Sequence, residues 1–531
     1  MKWPLVVLSL FALSGSVSAS PVVAEAAATP IVTDAVQVTP DPSIVRAHTS
    51  PQVARNPKTG ELVVVEGDIR GSRQCTVHIS ADDGRSWFQG GDPLEPPFTD
   101  CSFHADWGPY ATMAFDRNGV LNMAIEASDP AVFANTRNEA PRHLFLARST
   151  DSGRTFTVTT VFKATDPNPN KAVNKGATIA VDPKNPKNIY IGWRQGTFGG
   201  PAATEKLKTM VASSTDGGTT WSAPVDITDE HGGDFPWMTV TGDGVLHVAY
   251  WVRLWPIPTA GTPNPVRPIY HVSSSDRGQT WSERTVIDPG NQRHEHPPII
   301  VSDPKTNALY VAWAGNADPM NEAPGFAGDL EIFFRSSRDG GRTWGDRKLL
   351  NDDPKGKANQ IDPGISVAPN GRIDVAWYDG RLSPLPVTGN SENGYNDVYA
   401  TSSSDGGRTF TPNTRVSDRS ADRSIGVWSN NVDQRLNVGI SSSNDAMYVA
   451  WQDTRNANRD FQPEDVYMAS VRFDDAYAAP AKASRGVPAG LAMAAGVALG
   501  LGLAVVALPR LGTGRRPSNV RRSSAAAGTG G

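Results

Sequence analysis

A phenol, a carboxylate and a guanidinium fall within one short run at Tyr378, Asp379 and Arg381, in "WYDGR". Asp106 and Glu295 offer further carboxylates from other parts of the chain. Two carboxyl groups at a suitable separation hydrolyse a glycosidic bond, so these four non-arginine residues are the candidate catalytic set. Arg46, Arg70, Arg194, Arg253, Arg381, Arg435 and Arg455 are candidate ligand-binding cations, because converging guanidiniums grip a carboxylate or sulfate through paired hydrogen bonds. Trp107 and Trp237 stand near such positions as aromatic contacts. The competing reading is that these Asp and Arg residues pair with each other and pin loops.

Metal chemistry has a weaker footing. His48, His104, His231, His294 and His296 fall in predicted connectors, and "HEH" could set two imidazoles near a transition metal. Acidic loops could hold Ca²⁺, but no EF-hand spacing occurs. No cofactor is required by anything in the sequence.

The elements that position these residues are read from repeats. Six octapeptides fit Ser-x-Asp-x-Gly-x-Ser/Thr-Trp/Phe, beginning at Ser80, Ser149, Ser214, Ser274, Ser337 and Ser403. They recur roughly every 60–70 residues, a repeat logic like that of propellers. Upstream of each lies an apolar strand such as "NIYIGWRQ" or "RIDVAWYD", alternating with period two. Seven such strands can be counted, the last in "AMYVAWQD" without an octapeptide after it.

Each unit therefore reads as four antiparallel strands, with the octapeptide as the turn between the third and fourth. Ser and Asp side chains accept backbone N–H groups in such turns, the Gly supplies a left-handed angle, and the final Trp or Phe packs between sheets. Six identical catalytic loops would serve no single-substrate enzyme, so Asp82, Asp151, Asp216, Asp276, Asp339 and Asp405 are structural. The fold class is all-β, a propeller of four-stranded blades, with seven blades favoured over six. The segment "DAVQVTPD" (Asp34 to Asp41) is a spare outer strand that would close the ring against the last unit.

These octapeptides resemble the Asp-box, or bacterial neuraminidase, repeats of the sialidase-like superfamily, across about Asp34 to Asp475. In sialidases an arginine triad, a Tyr–Glu pair and an Asp acid/base do the chemistry, and the first arginine sits in a Phe/Tyr-Arg-Ile-Pro motif. The matching region here, "SIVRAHTSPQVARNP", has Arg46 and Arg55 without that motif. The resemblance implies a sialidase-type glycoside hydrolase as one expectation. The missing motif favours the other, a module that recognises extracellular glycan or protein ligands through loops on the face opposite the octapeptides.

Both ends read as addresses. Residues 1–19 have the layout of a secretory signal. Residues 487–508 carry no charge and are long enough to span a bilayer, and the Arg-rich tail 509–531 favours a cytoplasmic C-terminus. Residues 476–486 are the linker, leaving a single-pass cell-membrane protein with its propeller outside. Export permits a Cys75–Cys101 disulfide between the only two cysteines. A net charge of −5 gives no electrostatic case for nucleic acid.

Overall fold

The computed structural model describes residues 30–68, 74–94, 98, 111–128, 142–164, 174–196, 207–228, 232–252, 268–290, 297–316, 330–354, 358–384, 394–425, 438–457, 460 and 463–473. The chain divides into two units after Tyr477, and every described residue belongs to the first. The expected signal, linker, membrane span and basic tail lie outside the described residues. Among those described, no helix is long and apolar enough to cross a membrane.

The described strands form seven antiparallel sheets; in six the strands lie side by side in chain order, and in the seventh the outer place is taken by the start of the propeller. Their innermost strands are His48–Arg55, Ala111–Phe115, Asn174–Val181, Asp234–Val240, Ile299–Ser302, Gln360–Val367 and Gly439–Ser442. Each innermost strand touches those of the sheets before and after it, and the seventh meets the first. This is a closed propeller of seven blades, numbered here in that order.

A blade is covered on both faces, so its middle strands are buried on both. In Ile373–Asp379 of blade 6, Ile373, Val375 and Trp377 enter the apolar layer shared with blade 5. Ala376 and Tyr378 enter the layer shared with blade 7. Trp193, Trp313, Trp377 and Trp451 occupy the same place in four second strands, Trp251 stands one residue later in its own, and all five are buried. Each removes roughly 200 Å² from water, worth up to about 5 kcal/mol before entropy is charged against it.

The octapeptides are hairpin turns with one repeated hydrogen-bond pattern. In the last, Ser403 Oγ donates to Asp405 Oδ1 at 2.9 Å and accepts the Gly407 N–H at 2.9 Å. Asp405 Oδ1 then accepts the Thr409 N–H at 3.0 Å, and Oδ2 accepts the Thr409 hydroxyl at 2.7 Å. The Ser–Asp and Gly–Ser bonds recur in the other five. Gly407 has φ +79°, and a Cβ there would lie 2.5 Å from Phe334 of blade 5. The glycine thus serves both the turn and the approach of one blade to the previous one.

Blade 7 receives its outer strand from the beginning of the propeller. Ile31 and Val32 pair with Arg472 and Val471, and Val36 and Gln37 with Met468 and Tyr467. Val38 is fully buried and donates its N–H to Val466 O at 2.7 Å. The chain then crosses at Arg46 and Ala47, alongside Glu464, before entering blade 1. Cys75 of blade 1 is disulfide-bonded; Cys101, the other cysteine of the chain, lies outside the described residues.

Candidate functional site

The octapeptide turns follow third strands, so antiparallel order puts the starts of the innermost strands and the ends of the second strands on the opposite face. Four innermost strands begin there with a register shift, between Thr49 and Gln52, Lys175 and Thr178, Asp234 and Trp237, and Ile361 and Gly364. Ser50, Phe235 and Asp362 sit in these irregularities with φ of 61°, 43° and 53°. A left-handed non-glycine residue costs of order 1–3 kcal/mol and clusters at sites that re-aim side chains. Each is followed by proline, at Pro51, Pro236 and Pro363.

Among the described residues, Tyr378 and Asp379 do not face one another. Adjacent strand residues point to opposite faces, and Tyr378 and Asp379 do so. The Tyr378 hydroxyl accepts the Gln452 N–H at 3.0 Å, beside a hole of about 20 Å³ lined by Asn396, Arg423 and Thr454. That volume holds one water and no sugar ring. Burial pushes the Tyr378 hydroxyl well above the usual phenol range.

Asp379 is fully buried on the other side. It accepts the Trp377 indole N–H at 2.8 Å and the Arg381 guanidinium at 2.8 and 3.0 Å. Arg381 also reaches Asp352 at 2.7 Å and lies 4.1 Å over the Tyr399 ring. Blade 7 repeats the device. Asp453 accepts the Trp451 N–H at 2.9 Å and Arg455 at 2.7 Å, while Arg455 also pairs with Asp418 and covers Tyr467.

The two other candidate arginines among the described residues, Arg46 and Arg194, are likewise engaged. Arg46 makes a two-pronged pair with Asp465 at 2.7 and 3.0 Å. Arg194 is fully buried, 3.5 Å from Asp234 Oδ1 and over the Phe235 ring. Trp237 is half-buried against the apolar layers of blades 4 to 6. Arg70, Arg253, Arg435, Asp106, Trp107, Glu295, His104, His231, His294 and His296 lie outside the described residues. Among the described residues, no group of three or more His, Cys, Asp or Glu is gathered as for a metal ion.

Two charged clusters went unread in the sequence. Glu126 of blade 2 is buried, 3.6 Å from Arg142 and 3.4 Å from the Gly176 N–H. Burial raises its pKa despite the attraction of Arg142, Lys175 and Arg194. In blade 1, Glu66 Oε1 lies 3.1 Å from His48 Nδ1 and 3.2 Å from His78 Nε2. Burial pushes this carboxyl up, but the two histidines outweigh it and pull it down to about 2. The His48 Nε2 faces Asp41 at 3.7 Å.

This second cluster underlies a cavity of about 360 Å³ between blade 1 and the closing N-terminal segment. Asp41, His48, Asp68, Gln74, Thr76 and His78 are among its lining residues. The volume falls in the ~300–1,000 Å³ range of small-molecule sites. The signal available in the sequence was Glu66 itself, an acid in the otherwise apolar strand "ELVVVEGD".

Residues 56–248 match the family model of the BNR repeat-like domain, and the octapeptide pattern with its hydrogen bonds continues beyond that stretch to Phe410. The described fold is a β-propeller with six Asp-box turns. No curated protein sequence matches the chain. Among solved structures, the Asp-box propeller is similar to a protein of unknown function from Dyadobacter fermentans, at 17% identity, covering 70% of this chain and 98% of that one, with a TM-score of 0.42. It is similar to the GH93 α-L-arabinofuranosidase of Fusarium graminearum with arabinobiose, at 12% identity, 83% and 98% coverage and a TM-score of 0.44. It is similar to Trypanosoma rangeli sialidase in complex with sialic acid, at 13% identity, 81% and 59% coverage and a TM-score of 0.40.

Proposed function

We propose that this Asp-box propeller is a recognition module that binds extracellular glycans through the face opposite its Asp boxes, held at the cell surface by the C-terminal span. The observation that carries this reading is the placement of Tyr378 and Asp379 on opposite faces of one strand, with Asp379 saturated by Trp377 and Arg381. A tyrosine–carboxylate pair cannot act on one sugar from there. The described candidate arginines, Arg46, Arg194, Arg381 and Arg455, are held by carboxylates and serve as framework, leaving shape and polar lining to do the recognising.

Hydrolysis is the second reading, and Glu126 is what favours it. A buried carboxyl with a raised pKa stays protonated to higher pH, as a general acid requires.

One screen separates the two. The soluble domain, residues 24–475, is applied to a glycan array and to fluorogenic glycosides. Selective glycan capture without turnover supports recognition. Turnover lost in Glu126→Gln, Tyr378→Phe or Asp379→Asn overturns it in favour of hydrolysis.

A further inference from the structure

Three alternate residues of one strand of blade 1, Gln74, Thr76 and His78, line the cavity at the ring seam, as period two requires of a single strand face. Behind them His78 Nε2 lies 3.2 Å from Glu66 Oε1. A carboxylate only accepts, so Nε2 is the nitrogen that carries the proton. In the neutral ring Nδ1 is then an acceptor. His78 is 4% exposed, and among the described residues its Nδ1 has no hydrogen-bond partner. A buried acceptor left unmatched is a cost that a ligand's hydroxyl recovers.

The charged groups of the lining are already committed. His48 Nδ1 lies 3.1 Å from Glu66 Oε1, and its Nε2 faces Asp41 at 3.7 Å. Asp41 Oδ1 accepts the Ser43 N–H at 2.8 Å, and Asp68 and Gln74 have partners of their own. An ammonium entering here finds no idle carboxylate, and an anion meets two carboxylates at close range. What is left for a ligand is the His78 acceptor, the Thr76 hydroxyl and the Gln89 amide, with Pro40 and Pro42 as apolar wall. A few fixed polar groups beside apolar surface suit an uncharged ring with hydroxyls on its edge and C–H groups on its faces.

We infer that this seam cavity is a binding site for a neutral hexose, seated with one hydroxyl donating to His78 Nδ1 and a C–H face against the two prolines. The inference rests on the recognition reading and names one chemistry for it. Its position gives a second consequence. Pro40 and Pro42 belong to the segment that leaves the closing strand and His78 to blade 1, so an occupied cavity ties the two sides of the seam together. A ligand bound only by the closed ring stabilises that ring by mass action.

The test is calorimetric titration of the 24–475 domain with glucose, galactose and mannose, each beside its 2-amino counterpart and its uronate. One neutral hexose should bind with a Kd of about 1 mM or tighter and raise the melting temperature. Its amino counterpart should gain nothing from the added charge, and its uronate should bind about tenfold more weakly. His78→Phe should weaken the hexose about tenfold or more, and Thr76→Val, at a half-buried position, about threefold to tenfold. Where His78→Phe does not fold, Thr76→Val decides. Absence of binding by all three hexoses, an amino sugar binding tenfold tighter than its parent, or an affinity unchanged in Thr76→Val overturns the inference. If array glycans are captured while no hexose binds, this inference fails and the recognition reading stands. If a hexose binds through His78 and Thr76 and no array glycan is captured, the seam site stands and the wider reading fails.

Discussion

The indole N–H of Trp377 donates to the carboxylate of Asp379 two residues further along the same strand, at 2.8 Å. Trp451 and Asp453 repeat the arrangement at 2.9 Å, and in both blades an arginine two residues later closes on the same carboxylate. A spacing that suggests chemistry in the sequence is in the fold a clamp on the end of the second strand.

The clamp should show as stability. Asp379→Ala leaves the Trp377 N–H and part of Arg381 without their acceptor in a buried place, which typically costs about 3–5 kcal/mol. Asp453→Ala should behave alike. Urea unfolding of each variant measures this, and a loss below about 0.5 kcal/mol, the size of an ordinary surface change, would show the clamp to be incidental.

Two Asp-box glycines with the same backbone sign should respond differently. Gly340 has φ +73° and open space where a Cβ would go, whereas Gly407 at +79° faces Phe334 at 2.5 Å. Gly340→Ala should cost only the backbone term of about 1 kcal/mol, and Gly407→Ala a further ~1–3 kcal/mol of overpacking. Equal midpoints in urea would remove the close blade contact as the second reason for that glycine.

Stability should fall on the acid side of neutrality. His247 Nδ1 and His271 Nε2 lie 3.0 Å apart in the interior of blade 4. Burial lowers His247 to about 4 and, with the charge of its neighbour, His271 to about 3; Asp243 and Asp339 oppose this without reversing it. The folded pKa lies below the unfolded one, so the unfolded chain takes up protons first. Stability from this pair is full above about 6.5 and is lost as pH falls toward 4 and 3. Glu66, lowered to about 2, adds a further loss below about 4.5 by the same sign. Unfolding free energies at pH 7, 6, 5 and 4 should decline steadily, and a His247→Leu/His271→Phe variant should decline less. A slope unchanged in that variant would contradict the assignment.

The ring should depend on its first strand. Deleting residues 30–38 removes the pairing with Val466–Arg472 and the fully buried Val38. The loss should exceed about 2 kcal/mol, the worth of burying Val38 alone. Circular dichroism melts of the shortened and full soluble domains report it, and coincident melts would mean that blade 7 stands without the strap.

The blades were legible because their signal is local and repeated. The six octapeptides mark turns, "RIDVAWYD" alternates as a strand must, and Val36 and Gln37 lie in the segment read as the spare outer strand. Side-chain pairing between elements was much less so. The Arg46–Asp465 pair spans more than four hundred positions, which no spacing reveals. Tyr378 and Asp379 were read together because they are neighbours in sequence, although period two already sets them apart. Glu66, His78 and Glu126 lie inside strands, away from the connectors in which loop chemistry is expected. A charge within an apolar strand, which must find a partner once buried, is the sign that would have found them.

The central claim is a division of labour between the two faces: Asp boxes build the disc, and the opposite face recognises. Hydrogen–deuterium exchange of the 24–475 domain, with and without the glycan it captures most strongly, tests this directly. Protection should appear in peptides covering residues 41–50, 66–68 and 74–78 and should spare the six turns that begin at Ser80, Ser149, Ser214, Ser274, Ser337 and Ser403. Protection confined to those turns, with the opposite face unchanged, would contradict it.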